Sequence, residues 1–249
     1  MATPIVAAVL VFVFTTVLTI AGVGAAFIVI PTFYWLGVPL TEAMAIGLLL
    51  NAISMTFASA NYIRYKLVLF RTAVPIIVLA IVFSPLGAWS TRFFPKNALI
   101  LLFVIFLVFA ASMMLFYKPG KKEKGQSSGG KELRTGIGLG IGAGYLGGLL
   151  GVGGGNIIVP ALVWLGIDPK QASATTAFIV VFSSLSGFFG HAAMGTINWN
   201  LLTFAAVGSV AGALLGSWLM HRKLDAQQVK KIIGVVLYII AAKMAWGLI

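Results

Sequence analysis

The sequence Gly-Val-Gly-Gly-Gly-Asn at residues 151–156 interrupts a long apolar region, and Pro160 follows one helical turn later. Glycine is costly inside a helix, but it permits positive φ angles and the close approach of other groups. We therefore predict that one helix ends at this stretch and that another begins just after it. In a membrane, the backbone groups released by such a break must be buried in protein or face a water-filled cavity.

The same pattern occurs earlier in the chain, where Gly-Val-Gly at residues 22–24 is followed by Pro31. The two stretches are 129 positions apart, and many other positions repeat at the same offset. The repeated pairs include Trp35 and Trp164, Gly37 and Gly166, Ala43 and Ala172, Ser54 and Ser183, Gly87 and Gly216, and Trp89 and Trp218. One register held over so many positions predicts two copies of one structural unit.

The composition places both copies in a lipid bilayer. Of the 249 residues, 60% are hydrophobic and 9% are charged, whereas soluble domains contain about 25% charged residues. Apolar runs such as 99–116 and 232–249 approach the roughly 20 residues that a helix needs to cross the hydrocarbon layer. The apolar N-terminus, 1–23, lacks a basic region and a clear cleavage site, so we expect a retained helix rather than a signal peptide.

The formal charge of +12 comes almost entirely from lysines and arginines in short loops between apolar segments. Basic residues in such loops fix the orientation of the helices, and no exposed basic domain is predicted that could contact nucleic acid. Nucleic-acid binding is therefore excluded as a function. The absence of cysteine excludes a thiolate metal site, and we predict neither a metal nor a cofactor.

Residues 118–134 form the predicted linker between the copies, because they are polar, rich in glycine and serine, and contain six basic and two acidic residues. The first transmembrane repeat is then 1–117 and the second is 135–249. Each repeat is predicted to contain about five helical elements, of which the first two are glycine-broken or re-entrant. The expected helices lie at about 5–22, 26–37, 40–62, 70–91 and 98–117, and again at about 135–150, 156–166, 170–194, 201–220 and 230–248.

The distribution of basic residues orients the two copies. If the linker is cytoplasmic, Arg64, Lys66 and Arg71 after the third helix lie on the same side, whereas Arg92 and Lys96 lie outside as exceptions. In the second copy the strongly basic loop comes one position later in the unit, at 221–231. Such a shift is typical of inverted repeats, which let one central site of a secondary transporter face two sides in turn. The sequence thus predicts an all-α integral membrane fold of two inverted repeats.

The two breaks predict the sign of the ligand's charge. A helix that begins just after each glycine run directs unpaired N–H groups and the positive end of its dipole toward the break, which favours a small anion. No cluster of carboxylates competes to bind a divalent cation, and the break at 151–156 lacks the lysine of a P-loop. Close helix packing is the alternative, and it suits regularly spaced glycines such as Gly136 to Gly148, but three consecutive glycines exceed that need.

Few polar residues lie inside the helices, and those nearest the breaks complete the predicted site. Hydrogen bonding between helices, or back to the same helix, is the alternative for each serine and threonine. The predicted substrate-binding residues are Gly22, Gly24, Asn51, Ser54, Gly153, Gly154, Gly155, Asn156, Thr175 and Thr176. Glu42 and His191 are candidates for proton coupling, with a first-turn helix charge and a helix-end hydrogen bond as the respective alternatives.

The pattern Gly-x-Gly-Gly-Gly-x-x-x-x-Pro at 151–160, continued by Gly166 and the stretch 172–176, resembles the TauE/SafE family of sulfite and sulfonate exporters. The resemblance extends over nearly the whole chain. It implies a prokaryotic plasma-membrane secondary transporter of small sulfur-containing anions such as sulfite, sulfoacetate or other organosulfonates, with export as its direction. The first half departs from the family motif, because Ala25 and Ala26 stand where glycines are frequent, so the two halves of a site need not contribute equally.

Several alternatives stay open at this stage. An anion channel, a transporter of another small organic anion, and uptake rather than export all fit the same residues. An enzyme would need a convergent cluster of acidic residues, histidine or lysine, and the chain's few acidic residues and two histidines are scattered. The expected partners are the small anionic substrate and the lipid bilayer, and assembly as a homo-oligomer or as a subunit of a larger transporter is also open.

Overall fold

The computed structural model describes residues 2–20, 22, 24–116, 129–193, 199–222 and 226–246. Over these ranges the chain is helical, with no β-strand, which confirms the predicted all-α fold. The helices are α1 (Ala2–Ile20), α2 (Ala26–Trp35), α3 (Leu40–Arg64), α4 (Phe70–Ser90), α5 (Lys96–Phe116), α6 (Gly129–Leu149), α7 (Gly155–Trp164), α8 (Pro169–Ala192), α9 (Trp199–Arg222) and α10 (Ala226–Trp246). One turn of 3-10 helix, Thr91–Phe93, follows α4.

The helix bounds follow the offset found in the sequence. The starts of α2 and α7, and those of α3 and α8, are each 129 positions apart. The largest departure from the predicted bounds is at α6, which begins at Gly129 rather than near residue 135. The predicted linker therefore contributes its last residues to a helix, and its first part, up to residue 128, lies outside the described residues.

The lengths of the helices divide them into spanning and short elements. Both α2 and α7 contain 10 residues, or about 15 Å of helix, which is half of a hydrocarbon layer. Four helices in the described part of the chain are long and apolar enough to cross a membrane. They are Leu40–Arg64, Phe70–Phe93, Pro169–Ala192 and Leu202–Arg222.

Small residues bring the first helix of each half onto the fourth helix of the other half. Along α9, a Cβ atom on any of three regularly spaced glycines would meet the backbone of α1, and α6 packs on α4 in the same way. The glycines concerned are Gly208, Gly212 and Gly216 on α9 and Gly140, Gly144 and Gly148 on α6. These contacts confirm that both glycine stripes serve close packing.

The third helices of the two halves, α3 and α8, pack against each other in opposite directions. Asn51 is hydrogen-bonded to Ser184, and a Cβ on Gly187 would lie 3.3 Å from the side chain of Leu48. A step of three residues backward along α3 is therefore matched by a step of three forward along α8. This antiparallel register places the middle of both helices at the centre of the protein.

The fifth helices, α5 and α10, also run antiparallel. A Cβ on Gly234 would lie 2.7 Å from an atom of the Leu115 side chain, and the hydroxyls of Ser112 and Tyr238 are 2.6 Å apart. Moving backward along α5 by three residues thus corresponds to moving forward along α10 by four. Equivalent helices of the two halves therefore run in opposite directions at two separate contacts.

Candidate functional site

Asn51, at the middle of α3, lies between the two glycine breaks. Its side chain is fully buried. On one side, a Cβ on Gly24 would overlap the amide oxygen of Asn51, and on the other side a Cβ on Gly153 would come within 3.0 Å of its amide nitrogen. Two breaks that are distant in the sequence thus meet at one polar side chain.

The hydrogen bonds of Asn51 leave half of its amide without a partner. Nδ2 donates to Oγ of Ser184 at 3.0 Å and makes a longer contact of 3.5 Å with the carbonyl oxygen of Val152. Oδ1 has no hydrogen-bond partner among the described residues. Because the hydroxyl of Ser184 can accept or donate, the amide can turn over and direct its NH₂ group to the other side instead. The site can therefore offer a ligand either a donor or an acceptor.

Both breaks adopt the left-handed backbone that glycine tolerates. The φ angles are 80° at Gly24 and 73° at Gly153, the positions that contact Asn51. Gly22, Gly151 and Gly154 also have positive φ angles. Each break leads directly into a short helix, and neither α2 nor α7 has a side-chain N-cap hydrogen bond. The first-turn N–H groups of a helix have no partner within the helix, so both helix starts can present donors near the breaks, although the N–H of Ile157 donates to the carbonyl oxygen of Gly154.

Asn156, in the first turn of α7, is a second buried amide that follows the break at Gly153 in the sequence. It is 1% exposed, and neither its nitrogen nor its oxygen has a hydrogen-bond partner in the described part of the chain. Leaving such a group unpaired costs about 1–3 kcal/mol. The equivalent position in the first half is Phe27, so only the second half carries this polar group.

The structure brings together only part of the predicted site. Gly24, Asn51 and Gly153 are in contact, with Gly155 and Asn156 following in the first turn of α7. By contrast, Gly154 lies against the backbone of α6, where a Cβ would meet the carbonyl oxygen of Ala143. Its glycine is required by packing as well as by its φ angle of 78°.

Other predicted residues are engaged elsewhere. Gly22 packs on the backbone of Ser173 in α8. The hydroxyl of Ser54 donates to the carbonyl oxygen of Asn51 in its own helix at 3.1 Å. Thr175 accepts a hydrogen bond of 3.0 Å from the N–H of Leu69, at the start of α4. These three residues therefore have a structural partner in addition to any role at the site.

Sequence reasoning missed Ser184 as a residue of the site. Its hydroxyl is buried and bonds to Asn51, while the neighbouring Ser183 donates to the carbonyl oxygen of Gly153 at 2.7 Å. Ser184 lies eight residues after Thr176, which is close to two helical turns, so helical spacing from a predicted residue was the available signal.

His191 occupies the position equivalent to Tyr62, and the two side chains make equivalent hydrogen bonds. Nε2 of His191 lies 2.8 Å from the carbonyl oxygen of Gly148. The hydroxyl of Tyr62 donates to the carbonyl oxygen of Thr19 at 2.9 Å. Thr19 and Gly148 are themselves 129 positions apart. Each ring thus ties the third helix of its half to the end of the first, which is the helix-end hydrogen bond considered for His191. With its proton on Nε2, His191 leaves Nδ1 as a buried acceptor without a partner in the described residues.

Two acidic residues, Glu42 and Asp168, lie at helix starts. Glu42 is in the first turn of α3. Asp168 is the N-cap of α8, and its side chain accepts hydrogen bonds from the N–H groups of Lys170 and Gln171. Within the described residues there is no group of three His, Cys, Asp or Glu side chains that could hold a metal ion.

Replacing His191 with phenylalanine is expected to lower the free energy of unfolding by about 1–3 kcal/mol, because the carbonyl oxygen of Gly148 loses its donor while it stays buried. Tyr62→Phe, which removes only the equivalent hydroxyl, is expected to cause a loss of similar size. Unfolding by sodium dodecyl sulfate from detergent micelles measures both. A lower free energy of unfolding for Tyr62→Phe, with no change for His191→Phe, would contradict the equivalence of the two hydrogen bonds.

Comparison with known proteins gives the family. A family model described as "Sulfite exporter TauE/SafE" matches residues 6–244. The chain belongs to the TauE/SafE family. The resemblance seen in the sequence is thereby confirmed. The matched residues include both halves of the chain and both glycine breaks.

The TauE/SafE chain also resembles individual curated proteins. "Probable membrane transporter protein YunE" of Bacillus subtilis is 29% identical over 255 residues, which cover 93% of each chain. "Probable membrane transporter protein YjnA" of the same organism is 33% identical over 111 residues, covering 41% of this chain and 42% of the relative. "Sulfite exporter TauE/SafE family protein 1" of Arabidopsis thaliana is 42% identical over 69 residues, covering 28% of this chain and 14% of the relative. No solved structure matches the chain significantly.

Family and fold together place this TauE/SafE protein among membrane transporters. The relatives are named as transporters, four of the described helices are long and apolar enough to cross a bilayer, and a central polar side chain lies at two helix breaks. These observations favour transport of a small molecule across a membrane over catalysis.

Proposed function

We propose that this protein is a secondary transporter of small sulfur-containing anions, such as sulfite, sulfoacetate or other organosulfonates, and that it exports them across a prokaryotic cell membrane. The observation that carries the proposal is the position of Asn51 between the breaks at Gly24 and Gly153. A buried amide that can turn over to direct an N–H toward the place where two short helices begin is suited to hold a small anion.

An anion is favoured over a cation by the groups around the site. The starts of α2 and α7 present the positive ends of their dipoles and first-turn N–H groups without a side-chain cap. The amide of Asn156 adds a donor in the first turn of α7. The described hydrogen-bond partners of Asn51 are the hydroxyl of Ser184 and the carbonyl oxygen of Val152, so neither of them presents a fixed negative charge to an anion.

The anion is expected to be held more closely by the second half. That half contributes Gly154, Gly155 and Asn156, whereas the first half has Ala25, Ala26 and Phe27 at the corresponding positions. Asn51 is the exception, because its equivalent in the second half is Val180, whose side chain lies 3.2 Å from a Cβ on Gly153. The proposed site is therefore central in position but unequal in its chemistry.

Alternating access would come from one half rocking against the other. The antiparallel packing of α3 with α8, and of α5 with α10, supports an inverted arrangement of the halves. Within this proposal the linker 118–134 is cytoplasmic. The proposal also includes proton coupling through Glu42 or His191, which transport measurements test. It further includes assembly as a homo-oligomer, which a measurement of molecular mass tests.

The alternatives are an anion channel, a carrier of another small organic anion, and uptake instead of export. All use the same site, and they differ in kinetics, substrate or direction. A channel passes current without counterflow and without saturation, whereas a carrier with an enclosed site saturates and exchanges.

Purified protein in proteoliposomes is expected to exchange labelled sulfite or sulfoacetate for unlabelled anion, with saturation, and to exclude neutral analogues. The helix dipoles and N–H donors act on charge, which is the reason for the expected preference. Uptake is measured for sulfite, sulfoacetate, sulfate, chloride and a neutral analogue, with and without an imposed proton gradient. Liposomes without protein provide the control. Equal rates for the neutral analogue and the anions would remove the basis of the proposal.

A further inference from the structure

Three buried hydroxyls on α3 and α8 have no hydrogen-bond partner in the residues that the structure describes, and they are distinct from Asn51. They are Ser59 on α3 and Ser173 and Thr176 on α8. Serine and threonine in helices usually bond back to a carbonyl oxygen of their own helix, as Thr56 does with Ala52 at 2.7 Å. These three do not, so their capacity for hydrogen bonding is available.

The packing of α3 on α8 places the hydroxyls on one side of Asn51. In the register set by the contacts of Asn51 and Leu48, Ser59 lies opposite Thr176, and the position of Tyr62 lies opposite Ser173. An independent contact agrees, because Tyr62 bonds to the end of α1 and Ser173 packs against Gly22, just beyond that end. The hydroxyls therefore lie between the central site and the end of the protein formed by the loop 65–69.

On the other side of Asn51, where His191 is buried, the positions that correspond to the three hydroxyls carry none. At the offset of 129 residues, Ser59, Ser173 and Thr176 correspond to Phe188, Met44 and Gly47. Phe188 packs with Ala45 and Leu48 in a separate apolar cluster, and Met44 contacts the break at Gly151. Hydroxyls thus occupy these positions on one side of Asn51, and two apolar side chains and a glycine occupy them on the other.

The hydroxyl-lined half leads to a basic end of the protein. The loop 65–69 joins α3 to α4, and Tyr65 stacks on His221 at a ring distance of 3.7 Å, which brings the end of α9 to the same place. The exposed cationic side chains there are Arg64, Lys66, Arg71 and Arg222, with Lys170 half-buried nearby. Among the side chains that the structure describes at this end, Asp168, the N-cap of α8, is the acidic one, so their balance of charge is positive.

We propose that Ser59, Ser173 and Thr176 form a second subsite for a small oxyanion, between the basic end and Asn51, and that Met44 and Phe188 close the opposite half. The inference rests on the proposed function in one respect, which is that the occupant is an anion. Hydroxyls can donate to the oxygen atoms of such an anion, and the surrounding arginines and lysines raise its local concentration. An anion moving from the basic end to Asn51 exchanges its water for these hydroxyls before it reaches the helix breaks.

Single cysteines test the subsite, because the natural chain contains none. Ser59→Cys and Thr176→Cys are each treated with methanethiosulfonate reagents that carry either a sulfonate or a trimethylammonium group, with Lys66→Cys marking the basic end. Each rate is divided by that of a free thiol in the same buffer. Both cysteines are expected to react from the side where Lys66→Cys reacts, with about a tenfold preference for the anionic reagent, and an excess of sulfoacetate is expected to slow the reaction.

The matched controls are Met44→Cys and Phe188→Cys, at the corresponding positions of the other half. They are expected not to react from the basic side. Equal normalised rates for the two reagents, no reaction at Ser59→Cys, or reaction of Met44→Cys from the basic side as fast as Thr176→Cys would each overturn the proposal. Labelling does not require transport, so its failure is distinguishable from a failure of the proposed transport function.

A second pair of variants guards against misfolding of the cysteine proteins. Ser59→Ala combined with Thr176→Val removes both hydroxyls without adding volume, and Thr56→Val on the exposed face of α3 is its control. The double variant is expected to raise the apparent KM for sulfoacetate several-fold with kcat unchanged, and the control is expected to match the natural protein. An unchanged KM in a correctly folded double variant would also overturn the subsite.

Discussion

Replacing Asn51 with leucine is expected to lower kcat/KM for anion exchange by roughly 10- to 150-fold, the equivalent of one hydrogen bond to a charged group at about 1.5–3 kcal/mol. Leucine has a similar volume but offers no donor, and it also leaves the hydroxyl of Ser184 without its partner at 3.0 Å. Initial rates in proteoliposomes, divided by the amount of correctly folded protein, give the ratio.

Thr56→Val is the matched control for Asn51→Leu. Thr56 lies on the same helix, but its side chain is exposed and bonds to the carbonyl oxygen of Ala52, so its loss is expected to leave exchange unchanged. Asn51→Asp provides a second comparison, because it keeps the size of the side chain and adds a negative charge, which repels an anion. Natural activity in Asn51→Leu would show that the ion does not touch this amide.

The repeat was the most informative part of the sequence for the fold. The offset of 129 residues predicted where helices recur, and the starts of α7 and α8 lie where those of α2 and α3 require. The glycine runs also predicted the breaks, because five of their glycines have positive φ angles. These features depend on local backbone preferences and on periodicity, both of which can be read from neighbouring residues.

The contacts at the site depended on how the helices cross, which periodicity does not determine. Ser54 and Asn51 have similar spacing from the breaks, yet only Asn51 lies between them, while Ser54 bonds within its own helix. Thr175 and Thr176 are adjacent, but the hydroxyl of Thr175 accepts a hydrogen bond from the N–H of Leu69, whereas that of Thr176 has no partner in the described residues. Local sequence cannot separate such cases, since the difference arises from the neighbouring helix.

The equivalence of Tyr62 and His191 was within reach of the sequence. Both positions are related by the same offset that relates the glycines, but a tyrosine and a histidine do not look alike in a comparison of residue types. What they share is a ring that donates to a carbonyl oxygen at the end of the first helix. The offset therefore relates physical roles even where the residues differ, and it identifies Val180 as the apolar counterpart of Asn51.

Replacing Gly24 or Gly153 with alanine is expected to reduce exchange per folded transporter by about tenfold or more, because each change disturbs Asn51 as well as the backbone. Both positions have positive φ angles, which cost an L-residue roughly 1–2 kcal/mol. A Cβ on Gly24 would also overlap the amide oxygen of Asn51, and one on Gly153 would overlap the hydroxyl of Ser184. The methyl group on Gly24 must displace Asn51 itself, and the one on Gly153 must displace Ser184, the hydrogen-bond partner of Asn51.

Gly37→Ala and Gly166→Ala separate these two effects. Their φ angles are 87° and 90°, so they carry the same backbone cost, but a Cβ at either position would meet no atom within 4 Å. They are expected to lower Tm by a few degrees, about 2–4 °C for each kcal/mol in a protein of this size, and to keep their exchange rate per folded molecule. If all four variants lost exchange equally, the glycines would act through backbone conformation alone. If Gly24→Ala and Gly153→Ala were fully active, Asn51 would have room to move that the proposed site does not allow.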